Sequence, residues 1–88
     1  MKGIITVLGK DRVGIIAAVC TFLSARQVNI LDISQTIVQG YFSMLMIVEM
    51  PEHTDFAQVA EGLYAIGLGL GLEIKLQRED IFESMHRI

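Results

Sequence analysis

The fold of this chain is decided by the stretch from Ile30 to Met50, which reads ILDISQTIVQGYFSMLMIVEM. Its first part, 30–38, alternates apolar and polar side chains and therefore predicts a strand. Gln39-Gly40 predicts a tight hairpin turn, because glycine accepts the positive φ that such turns require. The last part, 41–50, is apolar on both of its faces, which predicts a strand at the centre of a sheet.

A strand and a helix are predicted before this hairpin. The β-branched run over 3–9 is too short for a helix and predicts a strand. Apolar residues then recur at helical spacing over 13–26, which predicts a helix. Asp11 is placed to cap the start of that helix.

A second helix is predicted after the hairpin. It begins at Asp55, because Gln58 follows three residues later as in a capping box. Glycines at 67, 69 and 71 are interpreted as weakening and ending this helix. The spacing of these three glycines is superficially similar to that of a dinucleotide-binding loop. Such a loop precedes a helix, however, whereas these glycines follow one. The apolar stripe of the helix consists of Phe56, Val59, Ala60, Leu63, Ile66 and Leu70.

The order of elements predicts an α+β fold of the ferredoxin-like βαββαβ type. In it a four-stranded antiparallel sheet carries two helices on one face, with the first and third strands central. The last strand, 72–77, alternates apolar and polar residues as an edge strand does. Residues 80–88 are predicted to add one or two helical turns, and 1–88 is expected to form a single domain.

Composition excludes several classes of protein. No stretch reaches the roughly 18–20 apolar residues of a membrane span, and no signal peptide is expected after Met1. A net charge of −3 argues against a nucleic-acid partner. The single cysteine, Cys20, cannot form an internal disulfide and favours a cytoplasmic location. The hydrophobic fraction is nevertheless 52%, with a mean hydropathy of +0.52, which suggests that a partner covers apolar surface.

An apolar face of the sheet predicts a homodimer. Leu45 and Ile47 are expected on the face away from the helices, together with Ile4 and Leu8. Leaving four such side chains in water would forgo about 6–12 kcal/mol, comparable with the whole stability of a domain, about 5–15 kcal/mol. We therefore expect a homodimer over this face, along a strand edge, or both. The alternative is that the C-terminal segment folds back over the face.

Two short motifs carry a resemblance to a known family. Gly9-Lys10-Asp11-Arg12-Val13-Gly14-Ile15 joins the first strand to the first helix, and Val28-Asn29-Ile30 opens the second strand. They resemble the ACT-domain signature of a strand ending in glycine, an Asp-Arg-Pro-Gly type turn and a later Asn-Ile pair. The run from Asn29 to Thr36 is similar to small stand-alone ACT proteins related to the glycine-cleavage repressor. Val13 stands where the family usually has proline, so this turn is less rigid.

The resemblance covers essentially the whole chain and implies a regulatory, non-enzymatic module. Such a module would bind an amino acid or similar small ligand at a homodimer interface and act on a partner protein, without a cofactor or metal. Gly14 would let the ligand approach the backbone, helix N–H groups would hold a carboxylate, and Asn29 would offer a donor and an acceptor. The implied ligand-binding residues are Asp11, Arg12, Val13, Gly14, Ile15, Asn29 and Ile30.

Alternatives remain open for the residues and for the function. Gly14 would otherwise serve close helix–sheet packing, Asn29 a left-handed turn after the helix, and Asp11 only a helix cap. Arg12 would be a solvated charge. An acylphosphatase-like hydrolase on the same fold would use Arg12 and Asn29 to hold a phosphate and a water. A protein-interaction subunit would bind no metabolite.

Overall fold

The computed structural model describes residues 1–80. Its elements are β1 (Lys2–Lys10), α1 (Ile15–Ala25), β2 (Asn29–Val38), β3 (Tyr41–Glu49), α2 (Phe56–Leu70) and β4 (Leu72–Arg78). The strands form an antiparallel sheet in the order β2-β3-β1-β4. This confirms the predicted βαββαβ fold and the central position of the first and third strands. The helical turns predicted over 80–88 lie, beyond Asp80, outside the described residues.

The hydrophobic core lies between the sheet and the two helices. Ile5 and Val7 of β1 and Met46 of β3 face the helices and are at most 1% exposed. From the helices, the core includes Val19, Leu23, Val59 and Leu63. Burying one such side chain contributes about 1.5–3 kcal/mol, so contact between helices and sheet is the main source of stability.

Both ends of α2 are fixed by the residues that the sequence indicates. The Asp55 side chain accepts a hydrogen bond from the N–H of Gln58 at 3.2 Å, which confirms the predicted cap. Gly71 adopts φ 72 and ends the helix. Gly67 and Gly69, however, lie inside α2. Of the three glycines, only Gly71 is therefore a terminator.

The end of α1 places a glutamine in a left-handed conformation. Gln27 adopts φ 59, and its N–H donates to the Ser24 carbonyl at 3.1 Å. The N–H of Val28 donates to the Leu23 carbonyl at 3.0 Å. This is a Schellman motif with glutamine where glycine is usual. The left-handed turn considered for Asn29 is therefore made two residues earlier, and Asn29 begins β2.

The sheet face away from the helices is less exposed than the sequence predicts. Leu8 is 57% exposed, but Ile4 is only 4% exposed, and Leu45 and Ile47 are half-buried. The expectation of four apolar side chains open to water on this face is therefore wrong. Exposed apolar residues are instead concentrated in β2, α1 and the loop before α1: Val13, Ile16, Leu31, Ile33, Ile37 and Val38.

An ion pair joins the N-terminus to the end of β3. The Met1 ammonium group lies 2.7 Å from a Glu49 carboxylate oxygen and donates to the Met50 carbonyl at 3.1 Å. Its hydrogen bond to Glu49 raises the pKa of the ammonium group above 8.0. The same bond lowers the pKa of Glu49 below 4.5.

This pair predicts a pH window in which Glu49→Gln destabilises the chain. The raised ammonium pKa contributes stability below pH 8.0, which is lost as the pH rises through the folded value. The lowered Glu49 pKa contributes stability above pH 4.5, which is lost as the pH falls through the folded value. Thermal unfolding should therefore separate wild type and variant most between these pH values. Glu52→Gln is the control, because that carboxylate is 3.4 Å from the ammonium group and 94% exposed. An equal effect of Glu49→Gln at every pH would contradict this.

Candidate functional site

The loop between β1 and α1 is held by backbone hydrogen bonds at both ends. The N–H of Asp11 donates to the Gly40 carbonyl at 2.8 Å, which ties the loop to the β2–β3 hairpin. At the other end, the Gly14 carbonyl accepts from the N–H of Ala18 at 2.9 Å. Gly14 is the N-cap residue of α1 and no side chain caps the helix, so the predicted cap by Asp11 is wrong. α1 begins at Ile15, two residues later than predicted.

Gly14 is needed for its backbone conformation. A Cβ at this position would meet no atom within 4 Å, so close helix–sheet packing is not its role. Its φ of 94 lies instead in a region that other residues rarely adopt. The first-turn amides of an α-helix have no acceptor within the helix. The N-cap of α1 has no side chain to accept from these amides, which lie at the positive end of the helix dipole.

A shallow depression of about 230 Å³ adjoins the loop. It is lined by Asp11, Arg12, Gly14, Ile15, Ile16, Ala17, Gln35, Ile37 and Phe42. Gln35 is a polar residue that the sequence analysis missed. In the pairing of β2 with β3, Gln35 lies opposite the buried Met44 and thus on the helix side of the sheet. A polar residue on the apolar side of a strand was the signal that could have identified it.

The loop side chains differ in what they can offer a ligand. Arg12 is exposed, and its Nη1 donates to the Leu70 carbonyl at 3.4 Å, at the negative end of the α2 dipole. Val13 is 96% exposed. Ile15 is 2% exposed and packs in the core, so only its backbone faces the loop. Arg12 is therefore exposed to solvent and oriented by one weak hydrogen bond.

Asn29 and Ile30 lie at the opposite end of α1. Asn29 is exposed and pairs with Glu49 at the start of β2, and Ile30 is half-buried. Both line another open depression, at the C-terminal end of α1. α1 has 11 residues, a length of about 16 Å. Within one chain, the structure therefore does not bring Asn29 together with the loop.

The same separation bears on the hydrolase alternative. Holding a phosphate and a water requires Arg12 and Asn29 side by side, and one chain places them at opposite ends of α1.

Over residues 1–80, no group of three His, Cys, Asp or Glu side chains is arranged to hold a metal ion. In that same part of the chain, no helix has the length and apolar character needed to cross a membrane.

Comparison with known proteins agrees with the fold described above. A family model described as ACT domain matches residues 3–77. A UPF0237 protein of Bifidobacterium longum is 54% identical over 88 residues, covering 99% of this chain and 98% of that protein. The structure of an ACT domain protein from Streptococcus pneumoniae superposes with a TM-score of 0.83 at 42% identity, covering 94% of each chain.

A further structure bears on the resemblance stated above. It is that of a candidate glycine cleavage system transcriptional repressor, with a TM-score of 0.77 at 24% identity. The match covers 86% of this chain and 44% of that chain, and at this identity it shows a shared fold alone. With the family model matching most of the sequence, the chain belongs to the ACT domain family.

Proposed function

We propose that this chain is a homodimeric regulatory sensor of an amino acid, which it binds between the β1–α1 loop of one subunit and the Asn29 end of β2 of the other. The sensor then acts on a partner protein. ACT domains are typically regulatory and bind amino acids, which supports the proposal. The observation that carries it is the exposed apolar side of edge strand β2.

β2 has the properties of an association surface. It pairs with β3 on one side, and its other edge has no strand within the described residues. On the side of the sheet that carries the helices, Ile33 is 44% and Ile37 is 56% exposed, and Ile16 of α1 adds to the same surface at 38%. An open edge beside exposed apolar side chains favours pairing with another chain. A second copy of β2 fits this edge, because its own open edge lies beside the same exposed apolar side chains.

The predicted site residues, which lie apart within one chain, come together if the β2 edges of two copies pair around a two-fold axis. A symmetric pair of identical strands is antiparallel, so each strand start lies beside the partner's strand end. In the fully overlapped register, Asn29 lies opposite Val38 of the other copy, and Ile30 lies opposite Ile37. Ile37 lines the depression beside the loop. The dimer thereby brings the Asn29 end of one chain to the Gly14 loop of the other.

The chemistry of such a composite site suits an amino acid. The first-turn amides of α1, near Gly14, would bind the carboxylate. Asn29 and Gln35 offer carbonyl oxygens to an ammonium group and amide donors to the carboxylate. Charge-assisted bonds contribute about 1.5–3 kcal/mol each, less the cost of association. We expect a modest affinity, with a micromolar to millimolar Kd, which corresponds to a binding free energy of about −8 to −4 kcal/mol.

A thermal-shift screen over the common amino acids tests the proposal. A ligand present at about 100 times its Kd adds roughly 2.7 kcal/mol to the stability. We expect one amino acid to raise the Tm of wild type, and Gly14→Ala and Asn29→Ala each to abolish that rise. Each variant is compared with its own ligand-free Tm, because Gly14→Ala also strains the backbone by about 1–2 kcal/mol.

A matched control lies in the same loop. Val13→Ala removes a side chain that is 96% exposed and should preserve the response. A folded dimer that responds to no amino acid would refute the sensor and favour the protein-interaction subunit. Hydrolysis of an acyl phosphate that is lost in Arg12→Ala would instead support the hydrolase.

A further inference from the structure

Gln27 keeps a long polar side chain at a position that favours glycine. Among residues 1–80, Gln27 and Gln39 are the two residues other than glycine with a positive φ, at 59 and 52. This left-handed conformation strains a residue that has a Cβ, whereas glycine adopts it freely. Residues that break a local rule in this way are concentrated at functional sites. The side chain of Gln27 is therefore a candidate for a functional role.

The two glutamines differ in their surroundings. Gln39 lies beside Gly40 in the two-residue turn of the β2–β3 hairpin, where both residues need a positive φ. Gln27 instead lines the open depression at the C-terminal end of α1, which has a volume of about 490 Å³. Within residues 1–80, its carboxamide makes no hydrogen bond to the protein. This exposed carboxamide is therefore available to a molecule that enters the depression.

The depression offers hydrogen-bonding groups without charge. Its polar side chains are the Ser24 hydroxyl and the carboxamides of Gln27 and Asn29, all of them exposed. No Asp, Glu, Lys, Arg or His of the described residues lines it. A carboxamide both donates and accepts, so these groups match a neutral hydroxyl or amide. A charged group would find no counter-charge there.

The proposed dimer brings this depression to the β1–α1 loop of the other subunit. Asn29, which lines the depression, lies opposite Val38 of the other copy in the fully overlapped register. The loop of that copy is tied to the adjoining hairpin through Asp11 and the Gly40 carbonyl. An amino acid whose carboxylate binds near Gly14 of one subunit can therefore extend its side chain towards the depression of the other.

We propose that Gln27 is a specificity-determining residue of the composite site and selects an amino acid with a neutral hydroxyl or amide side chain. This inference rests on the proposed sensor function. Gln27 binds the side chain of the ligand, whereas the first-turn amides near Gly14 and the Asn29 carboxamide bind groups that all amino acids share. Serine, threonine, asparagine and glutamine are the ligands of this class.

Calorimetric titration of the full chain with individual amino acids tests the proposal. We expect one of these four to bind wild type about tenfold more tightly than alanine, leucine, aspartate or lysine. Gln27→Gly should weaken that binding about three- to tenfold, because a hydrogen bond between neutral groups is lost. The same variant should raise the ligand-free Tm by roughly 4 °C, because glycine relieves the strain.

Two control variants separate the backbone from the side chain. Gln39→Gly relieves the same kind of strain and should raise the ligand-free Tm similarly. Arg26→Ala changes the residue next to Gln27, whose guanidinium stacks on Phe22 at 3.7 Å from the ring centroid and does not line the depression. This second control should leave the Kd for the ligand unchanged.

Two kinds of failure can be told apart. If wild type and Gln27→Gly bind the ligand with the same Kd, or if the preferred ligand has an aliphatic or charged side chain, the role of Gln27 is overturned and the sensor function stands. If wild type binds no amino acid, the sensor function is refuted and this inference with it.

Discussion

Replacing Ile37 with aspartate is expected to convert the dimer into monomers. Ile37 is 56% exposed on the helix side of β2 and would be covered by the second copy. A two-fold interface contains every substitution twice. A loss of about 2 kcal/mol for each copy amounts to about 4 kcal/mol, or a Kd weakened roughly a thousandfold. Sedimentation equilibrium of wild type and variant measures this change directly.

Leu68→Asp is the matched control for this experiment. Leu68 is 65% exposed and equally apolar, but it lies on α2, near β4 at the other edge of the sheet. The control variant should remain dimeric. If Leu68→Asp dissociates while Ile37→Asp remains a stable dimer, the interface lies at the β4 edge, and our account is contradicted.

Alanine at Gly67 and alanine at Gly69 are expected to change stability in opposite directions. A Cβ at Gly67 would lie 2.6 Å from the Leu72 carbonyl oxygen and 3.1 Å from a side-chain carbon of Ile74. The first of these is a backbone atom of β4 and cannot easily move, so we expect a loss of about 1–3 kcal/mol. A Cβ at Gly69 would meet nothing within 4 Å. There the gain in helix propensity, about 0.5–1 kcal/mol, should prevail.

Chemical denaturation of both variants measures these two free energies of unfolding. The variants share a helix and the same substitution, so their difference isolates the contact between α2 and β4. Equal stabilisation by both alanines would show that Gly67 only weakens the helix, as the sequence suggested. Equal destabilisation would show that neither helix propensity nor this contact decides the outcome.

Local chemistry made most of the fold predictable. The Gln39-Gly40 turn has both residues at positive φ, at 52 and 81, as a hairpin of this kind requires. The cap by Asp55 acts within three residues along the chain, so its pattern is visible in the sequence. The start of α1 was misplaced because a left-handed Gly14 begins the helix without any capping side chain. A glycine in the sequence does not by itself show which φ it adopts, because glycine accepts both signs.

Contacts between distant elements were less predictable. The close approach of Gly67 to β4 depends on how α2 lies against the sheet, which no spacing within α2 records. The burial of Ile4, which lies on the sheet face away from the helices, was likewise not predicted. In the candidate site, the loop and Asn29 were identified by resemblance, but their separation along α1 follows only from the fold. Gln35 was missed although it interrupts the apolar side of β2 that Ile33 and Ile37 form.

A complementation experiment tests the composite site most directly. It mixes Gly14→Ala chains with Asn29→Ala chains and measures calorimetric binding of the amino acid that stabilises wild type. Neither variant alone should bind. After exchange of subunits, each mixed dimer has one site free of both substitutions, so about a quarter of all sites should bind again with the wild-type Kd. A mixture that binds no better than its separate components would contradict a site shared between two chains.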